Sequence, residues 1–431
     1  MTKIIIKNIG PIKEAEFDLN KINVFMGPQS SGKSTIAKII SYCTWVEKDV
    51  ATSQSLETYQ KNKTYFREHI ENFHKIKGYF RQESYLFYKS DVVEIKWENQ
   101  QNEIAWVDRF AYSRSKISYI PSERNMIILP EVKKVELGNT NIRSFLFDWF
   151  DARKNYPKEN KLSILNLGVE YYYKESGTDE EDHIKSLNKS NQYDILLSNA
   201  SSGLQSITPI IGMIEYLSKW IYKEDNTSFE LEEKQRKVHN FLTEEIILKP
   251  YFGKLYYESD VKELINNYVK KYNESDLSAR KVFARYFELR NNLFKTKNSK
   301  FIIEEPEQNL FPETQCSLVY HLIGNCVNRD GNVLTITTHS PYVLYALNNT
   351  MLGHLVKEKM LQEEEYKELK SLKSSINPSF VSVWQITDNG TLNNIQGDDY
   401  LIESNYFDSI MKNIMDDYYK MINYYGDEDE D

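Results

Sequence analysis

The segment GPQSSGKS, from Gly27 to Ser34, decides the fold because it fits the pattern G-x-x-x-x-G-K-S at every fixed position. The apolar segment KINVFMG (Lys21–Gly27) before it is typical of a buried strand, and a helical pattern follows from Lys33 to about Lys48. A strand, a glycine-rich loop and a helix in this order predict a phosphate-binding loop (P-loop), in which backbone N–H groups and the helix N-terminus hold phosphate oxygens. The alternative is a chance glycine-serine loop, which the flanking strand and helix disfavour.

The P-loop predicts ATP and Mg²⁺ as cofactors. Lys33 is expected to reach the β- and γ-phosphates, and the hydroxyl of Ser34 is expected to bind Mg²⁺. The residues expected to hold the nucleotide are Gly27, Pro28, Gln29, Ser30, Ser31, Gly32, Lys33, Ser34 and Thr35.

Two adjacent acids follow a second apolar segment, in FIIEEPEQNLFP (Phe301–Pro312). A P-loop ATPase needs one carboxylate near Mg²⁺, and many add a second that orients the attacking water. Adjacent residues at a strand end point in different directions, so they can divide these roles. We assign Glu304 to the metal, although Asp is usual there, and Glu305 to the water. An ordinary solvated strand end is the alternative.

A third apolar segment, NVLTITTHSP (Asn332–Pro341), is rich in β-branched residues and predicts a buried strand. His339 would lie at its carboxyl end, where parallel sheets form their ligand crevice. This imidazole is therefore a candidate donor to the γ-phosphate. The alternative is a structural histidine.

The order of these motifs, with SSGLQ (Ser201–Gln205) between the P-loop and the two acids, resembles the ATP-binding-cassette (ABC) ATPases. The similarity is to the soluble heads of the RecF, SMC and OLD-like group. SSGLQ is similar to their LSGGQ signature: Ser202, Gly203 and Gln205 agree, whereas Leu204 replaces the second glycine. In that family the signature contacts the γ-phosphate held by the opposite subunit. The resemblance thus implies a homodimer or larger homo-oligomer that sandwiches ATP.

The same resemblance implies an α/β fold with a mixed-sheet core. The segments KIIIKN (Lys3–Asn8) and EAEFDL (Glu14–Leu19) predict N-terminal antiparallel strands joined by a turn. The stretch from Gln205 to Phe301 is far longer than the corresponding connection of transporter cassettes and predicts an inserted helical lobe.

The variant Leu204 and the segment YIPSERN (Tyr119–Asn125) are similar to compact ATPase subunits of bacterial anti-phage defence systems. Those subunits act with a separately encoded nuclease or toxin, and no nuclease domain is expected here. Glu123 and Arg124 become candidates for γ-phosphate sensing or subunit contact, with a surface ion pair as the alternative. The segment has no Gln to serve as a Q-loop ligand.

We expect one discontinuous ATPase domain over residues 1–431. It would contain an aromatic helical and hairpin insertion at 51–110, a helical insertion at 216–300 and a disordered acidic tail at 426–431. The chain between 56 and 89 is expected to be mostly helical. Hairpins are predicted for Asp91–Phe110 and, around Asn389-Gly390, for Phe380–Gln396.

The charge and the apolar content of the sequence limit which kinds of partner, nucleic acid or membrane, the protein is expected to bind. The net charge of −9 argues against a general nucleic-acid-binding surface, and the absence of a long apolar run predicts a cytoplasmic protein without membrane contact. A local contact with nucleic acid stays open, because Arg280, Lys281, Arg285 and Arg290 alternate with aromatic residues; a solvated helix face is the alternative. The runner-up function is accordingly a RecF-like repair ATPase that clamps DNA. A scaffold that binds ATP without turnover is a third, weaker reading.

Overall fold

The structure is a computed structural model, and it describes residues 2–129, 138–176, 179–223, 229–252, 277–361, 368–422 and 424–425, with 132 and 263. The acidic tail predicted at 426–431 and part of the predicted helical insertion lie outside the described residues.

The strands are β1 (Thr2–Ile9), β2 (Ile12–Leu19), β3 (Ile22–Met26), β4 (Phe80–Lys89), β5 (Val93–Glu98), β6 (Gln101–Trp106), β7 (Ser115–Ile120), β8 (Leu162–Ser163), β9 (Val169–Ser176), β10 (Asp179–Ser186), β11 (Asp194–Leu196), β12 (Asn298–Glu304), β13 (Val333–Thr338), β14 (Val381–Ile386) and β15 (Leu392–Asn394).

The helices occur mainly between these strands, as an α/β fold requires. They are α1 (Lys33–Ser53), α2 (Glu57–Lys61), α3 (Tyr65–Phe73), α4 (Asn141–Arg153), α5 (Ser202–Glu215), α6 (Phe229–Leu242), α7 (Lys249–Phe252), α8 (Leu277–Phe294), α9 (Pro312–Cys326), α10 (Pro341–Met360), α11 (Lys370–Lys373) and α12 (Tyr406–Ile422). A 3₁₀ turn at Ser122–Ile128 follows β7.

The central sheet has the order β15-β14-β3-β13-β12-β7. All its neighbours are parallel except the β14–β15 pair, which forms the predicted C-terminal hairpin. Because β3, β13 and β12 are parallel, the segments that follow them meet at one edge of the sheet. This edge carries three of the motifs that the sequence singles out, which are the P-loop, the two adjacent acids and His339. The predicted mixed α/β fold is confirmed.

The predicted N-terminal antiparallel strands belong to a second sheet, of order β2-β1-β4-β5-β6. The predicted hairpin within Asp91–Phe110 is confirmed as β5 and β6. The helical prediction for 56–89 is correct only as far as Phe73 and wrong for Phe80–Lys89, which pairs with β1 as β4.

Both faces of the central sheet are buried. On one face, Ile22, Val24 and Met26 pack with α5, α9 and α10. On the other, Phe25 packs with α1 and the N-terminal sheet. Alternate residues of β3 thus serve two cores, and each fully buried apolar side chain contributes roughly 1.5–3 kcal/mol. The P-loop is anchored by the most enclosed strand of the sheet.

Among the described residues, none of the helices combines the length and apolar character that crossing a membrane requires.

Candidate functional site

The backbone of the P-loop depends on two glycines. Gly27 has φ 150°, and a Cβ there would lie 2.5 Å from the carbonyl oxygen of Ile386 at the end of β14. Gly32 has φ 109° at the start of α1. Both positions favour glycine, because a side chain would meet strain or a clash. The loop therefore packs closely against the end of β14 and against Ile12.

Lys33 lies at the first position of α1 and is buried. Its Nζ donates to the carbonyl oxygens of Gly27 (2.9 Å) and Pro28 (2.7 Å). Burial lowers the pKa of Lys33 to about 8, although Glu305 and Glu307 oppose the shift. The buried Oγ of Ser31 has no hydrogen-bond partner among the described residues. The ammonium group, this free hydroxyl and the curled backbone fit a polyphosphate.

The lowered pKa of Lys33 predicts that ATP binds more weakly as the pH rises through 8. Below about pH 7 the amine is protonated before binding, whereas above its pKa each complex must take up a proton. The affinity should then fall by up to about tenfold per pH unit. Fluorescence titration with a labelled ATP analogue between pH 7 and 9.5 measures this. The variant Lys33→Arg keeps its charge throughout; if its affinity fell with the same slope, Lys33 would not be the titrating group.

A cavity of about 560 Å³ opens above the P-loop. Eight of the predicted residues line it: Gln29, Ser30, Gly32, Lys33, Ser34, Thr35, Glu305 and His339. Pro11 and Tyr79 line it as well, and sequence reasoning missed both. The backbone N–H of Gly10 donates to the carbonyl oxygen of Tyr79 at 3.0 Å, which brings two segments distant in sequence to the cavity wall. No local pattern marks Tyr79.

Glu305 and His339 lie next to each other in the wall of the cavity. The Nε2 of His339 lies 2.9 Å from the Oε1 of Glu305. This hydrogen bond is the main reason that the pKa of Glu305 lies below its usual range, with the charge of Lys33 contributing. Glu305 follows β12 in a left-handed conformation, φ 44°, which turns its side chain away from the strand. An ionised carboxylate therefore lies beside the P-loop at neutral pH.

Glu304 points elsewhere, as expected for adjacent residues. Its Oε1 accepts the hydroxyl of Tyr119 and its Oε2 accepts the N–H of Ser122 at 3.4 Å. Burial raises its pKa. Glu304 is not among the residues that line the cavity, so its role as a metal ligand stays a prediction.

Glu307 is a functional candidate that sequence reasoning missed. Its Oε1 accepts the hydroxyl of Thr338 (2.8 Å) and the N–H of His339 (2.6 Å), so it fixes the end of β13. Burial raises its pKa. The available signal was the third acid of EEPE, two residues after Glu305.

The signature segment, Ser201–Gln205, forms the start of α5. Ser201 caps the helix by accepting the N–H of Leu204. Gln205 donates to the carbonyl oxygens of Ser198 (2.8 Å) and Ala200 (3.0 Å), which fixes the preceding turn. Ser202 is exposed, and neither Ser202 nor Gly203 lines the cavity of its own chain.

Two further details concern the packing and the course of this helix. A Cβ on Gly203 would lie 2.9 Å from the carbonyl oxygen of Asn309, so the segment packs closely on the loop after β12. Because α5 begins at Ser202, Pro209 lies inside the helix rather than in its first turn. The helix continues past this proline and changes to a π-helical turn at Tyr216–Trp220.

The proposed exposed roles for Arg124 need correction. Its side chain is fully buried and donates only to oxygens within its own chain. It therefore forms neither a surface ion pair nor a direct subunit contact. Glu123 is exposed and accepts the hydroxyl of Ser122 at 3.2 Å.

Comparison with known proteins gives only distant structural similarity. A scan against protein-family models and a search of curated proteins find no match. Similar solved structures include the SMC head domain from Thermotoga maritima, at 10% identity and TM-score 0.33, covering 80% of this chain and 90% of that one. The recombination mediator RecF-ATPrS of the RecFOR pathway matches at 10% identity and TM-score 0.30, with coverages of 91% and 97%. A dimeric bacterial ABC transporter cassette matches at 11% identity and TM-score 0.28, with coverages of 91% and 99%. At such scores these matches carry no argument, and the P-loop α/β fold rests on the strand order and the motif positions.

Proposed function

We propose that the chain is an ABC-type ATPase head that binds ATP with Mg²⁺ in the P-loop cavity and hydrolyses it. The observation that supports this most is the shared cavity wall, where Lys33, Ser34, Glu305 and His339 meet although they come from three parts of the sequence. A structural ATP site would not need an ionised carboxylate paired with an imidazole beside the phosphates.

Each of these groups has a chemical task in hydrolysis. Lys33 exchanges its loop carbonyls for phosphate oxygens, and Ser34 offers a hydroxyl to the cation. Mg²⁺, when bound, neutralises charge on the phosphates. Glu305 is ionised and accepts a proton from the attacking water, as a general base. His339 holds that carboxylate in place and can donate to the transferred phosphoryl group.

We propose a second copy of the chain as the partner that completes the site. Ser202 is exposed and lies outside its own cavity, so it is free to approach a nucleotide on another subunit. Phe311, which follows the loop that packs on Gly203, is 77% exposed. An exposed aromatic residue beside the signature segment fits an interface between subunits.

Complementation between two inactive variants tests the shared site. We expect Ser202→Arg and Lys33→Ala each to abolish turnover alone. In a mixed dimer, the intact P-loop of the first variant meets the intact signature segment of the second, and turnover should partly return. Steady-state ATPase assays on mixtures measure this. As the control, a chain carrying both substitutions should restore nothing when mixed with either variant. If the two single variants stayed inactive together although mixed dimers form, the shared site would be excluded.

We further propose that the ATP-driven dimer switches a separately encoded effector, a nuclease or a toxin, in anti-phage defence. The support is the resemblance of SSGLQ and YIPSERN to compact defence ATPases. Affinity purification of the ATP-trapped protein from its native host should recover the effector. Recovery of the dimer alone, together with no effect of the chain on phage growth, would contradict the proposal.

A RecF-like DNA clamp is the second candidate. The helix α8 exposes Arg280, Lys281, Arg285 and Arg290, while Tyr286 and Leu289 lie in the core. Glu288 pairs with Arg285 at 3.1 Å and dilutes the positive charge. Stimulation of the ATPase by DNA, lost steeply as salt increases, would favour this candidate. No effect of DNA would favour the effector switch.

A further inference from the structure

Arg124 is a buried cation that connects three segments of the chain. It lies in the 3₁₀ turn after β7 and its side chain is 0% exposed. Its Nε donates to the Oγ of Ser206 at 3.1 Å. Its Nη1 donates to the carbonyl oxygens of Glu304 (2.9 Å) and Pro121 (3.2 Å), and its Nη2 donates to that of Glu305 (2.6 Å). The guanidinium group thus joins the signature helix to the catalytic strand end.

All four acceptors are uncharged oxygens, which is an unusual environment for a buried guanidinium group. Burial lowers the pKa of Arg124 to about 10, opposed by Glu307, Glu305 and other acids, so the side chain is still charged at neutral pH. A planar fork of donors can hold several carbonyl groups at fixed angles, whereas a lysine ammonium cannot. The geometry therefore requires arginine.

The backbone of Glu305 needs such support. Its left-handed φ of 44° is uncommon for a residue other than glycine and costs free energy. The N–H of Glu305 donates to the carbonyl oxygen of Thr337 at 2.9 Å, and its own carbonyl accepts from Arg124. These two bonds hold the backbone that directs the carboxylate toward His339.

The other end of the connection lies next to the signature segment. Ser206 is fully buried and directly follows Gln205 in α5. The close packing of Gly203 on Asn309 is a second link between this helix and the loop after β12. A displacement of the start of α5 must therefore be accommodated at Glu305.

We propose that Arg124 is a positioning residue that couples the signature segment of each subunit to the Glu305 of the same subunit. The inference rests on the proposed ATP sandwich, in which that segment contacts nucleotide held by the opposite chain. Contact there fixes the start of α5, and Arg124 transmits the constraint to the carbonyl of Glu305. Each active site then responds to the nucleotide in the other.

The variant Ser206→Ala tests this coupling because it removes one acceptor of Arg124 and leaves the cavity intact. We expect kcat to fall roughly 10- to 100-fold, as for small misplacements of catalytic groups. The KM for ATP and the ATP-dependent dimerisation should stay unchanged, while cooperativity between the two sites should be lost. The matched control is Thr208→Ala, since Thr208 is also fully buried in α5 and its hydroxyl has no partner among the described residues. This control should keep wild-type turnover.

Two outcomes would overturn the coupling: wild-type turnover and cooperativity in Ser206→Ala, or an equal loss in Thr208→Ala. Arg124→Lys should reproduce the Ser206→Ala behaviour, and thermal unfolding shows whether it is folded; Ser206→Ala decides the question if it is not. If Glu305→Gln forms no ATP-dependent dimer, the proposed function and the coupling both fail. If that dimer forms and Ser206→Ala behaves as wild type, only the coupling fails.

Discussion

Replacing Glu305 with glutamine should abolish ATP hydrolysis while ATP binding persists. Glutamine has nearly the same shape and can still bond to His339, but it cannot accept a proton from water. Loss of a general base costs roughly 10²- to 10⁴-fold in rate. Because hydrolysis would reopen the proposed dimer, the variant should accumulate as an ATP-bound dimer. Single-turnover assays measure the rate, and gel filtration with and without ATP measures the assembly.

A matched control separates this effect from a general change of charge. Glu313 is an exposed acid in the first turn of α9, close in sequence but outside the cavity. Glu313→Gln should hydrolyse ATP at the wild-type rate. Unchanged turnover in Glu305→Gln would refute the assignment of Glu305 as the general base. Glu304 or Glu307 would then be the candidate for that role.

Replacing Lys33 with alanine should abolish nucleotide binding at ordinary ATP concentrations. The ammonium group is buried at the base of the cavity, and losing a buried charged partner of a phosphate should weaken affinity roughly 100-fold or more. Alanine fits the first turn of α1, so folding should persist. Isothermal titration measures the affinity, and thermal unfolding without ATP verifies the fold.

Lys13 provides the control for Lys33. It is exposed, two residues after the cavity-lining Pro11. Lys13→Ala should bind ATP as the wild type does. Tight binding by Lys33→Ala would show that the loop backbone alone holds the phosphates, and the charge assigned to Lys33 would be superfluous.

The parts of the fold that were predictable from sequence are those with local signals. One such signal is the P-loop motif between an apolar strand and a helical pattern. The others are the two acids and the histidine, each of which follows an apolar segment rich in strand-forming residues. The strand β4 shows where local reading failed. Its inward residues Ser84, Leu86 and Tyr88 alternate with more exposed ones, but its charged and aromatic residues are also compatible with a helix. Pairing with β1 settles the conformation, and no local window contains that partner.

The unpredicted site residues depend on contacts between distant segments. Tyr79 reaches the cavity through the turn at Gly10, and Glu307 acts by holding the end of β13. The sequence makes Arg124 a candidate for γ-phosphate sensing, subunit contact or a surface ion pair, whereas its side chain is fully buried. Its four acceptors come from three parts of the chain: Pro121 in its own segment, Ser206 in α5, and the adjacent Glu304 and Glu305. The sequence shows which chemical groups are present, but these groups come close together in space only when the sheet folds.

The packing of Gly27 on the carbonyl of Ile386 has a consequence for biosynthesis. The strand before the P-loop has its two neighbours, β13 and β14, near the far end of the chain. Contacts between residues so far apart in sequence form late in folding, because the entropic cost of closing a long loop comes before the free energy that the contacts contribute. During translation the P-loop segment leaves the ribosome long before its supporting strand β14 does. A chain that ends before β14 lacks the strand against which Gly27 packs, and we expect it not to bind ATP.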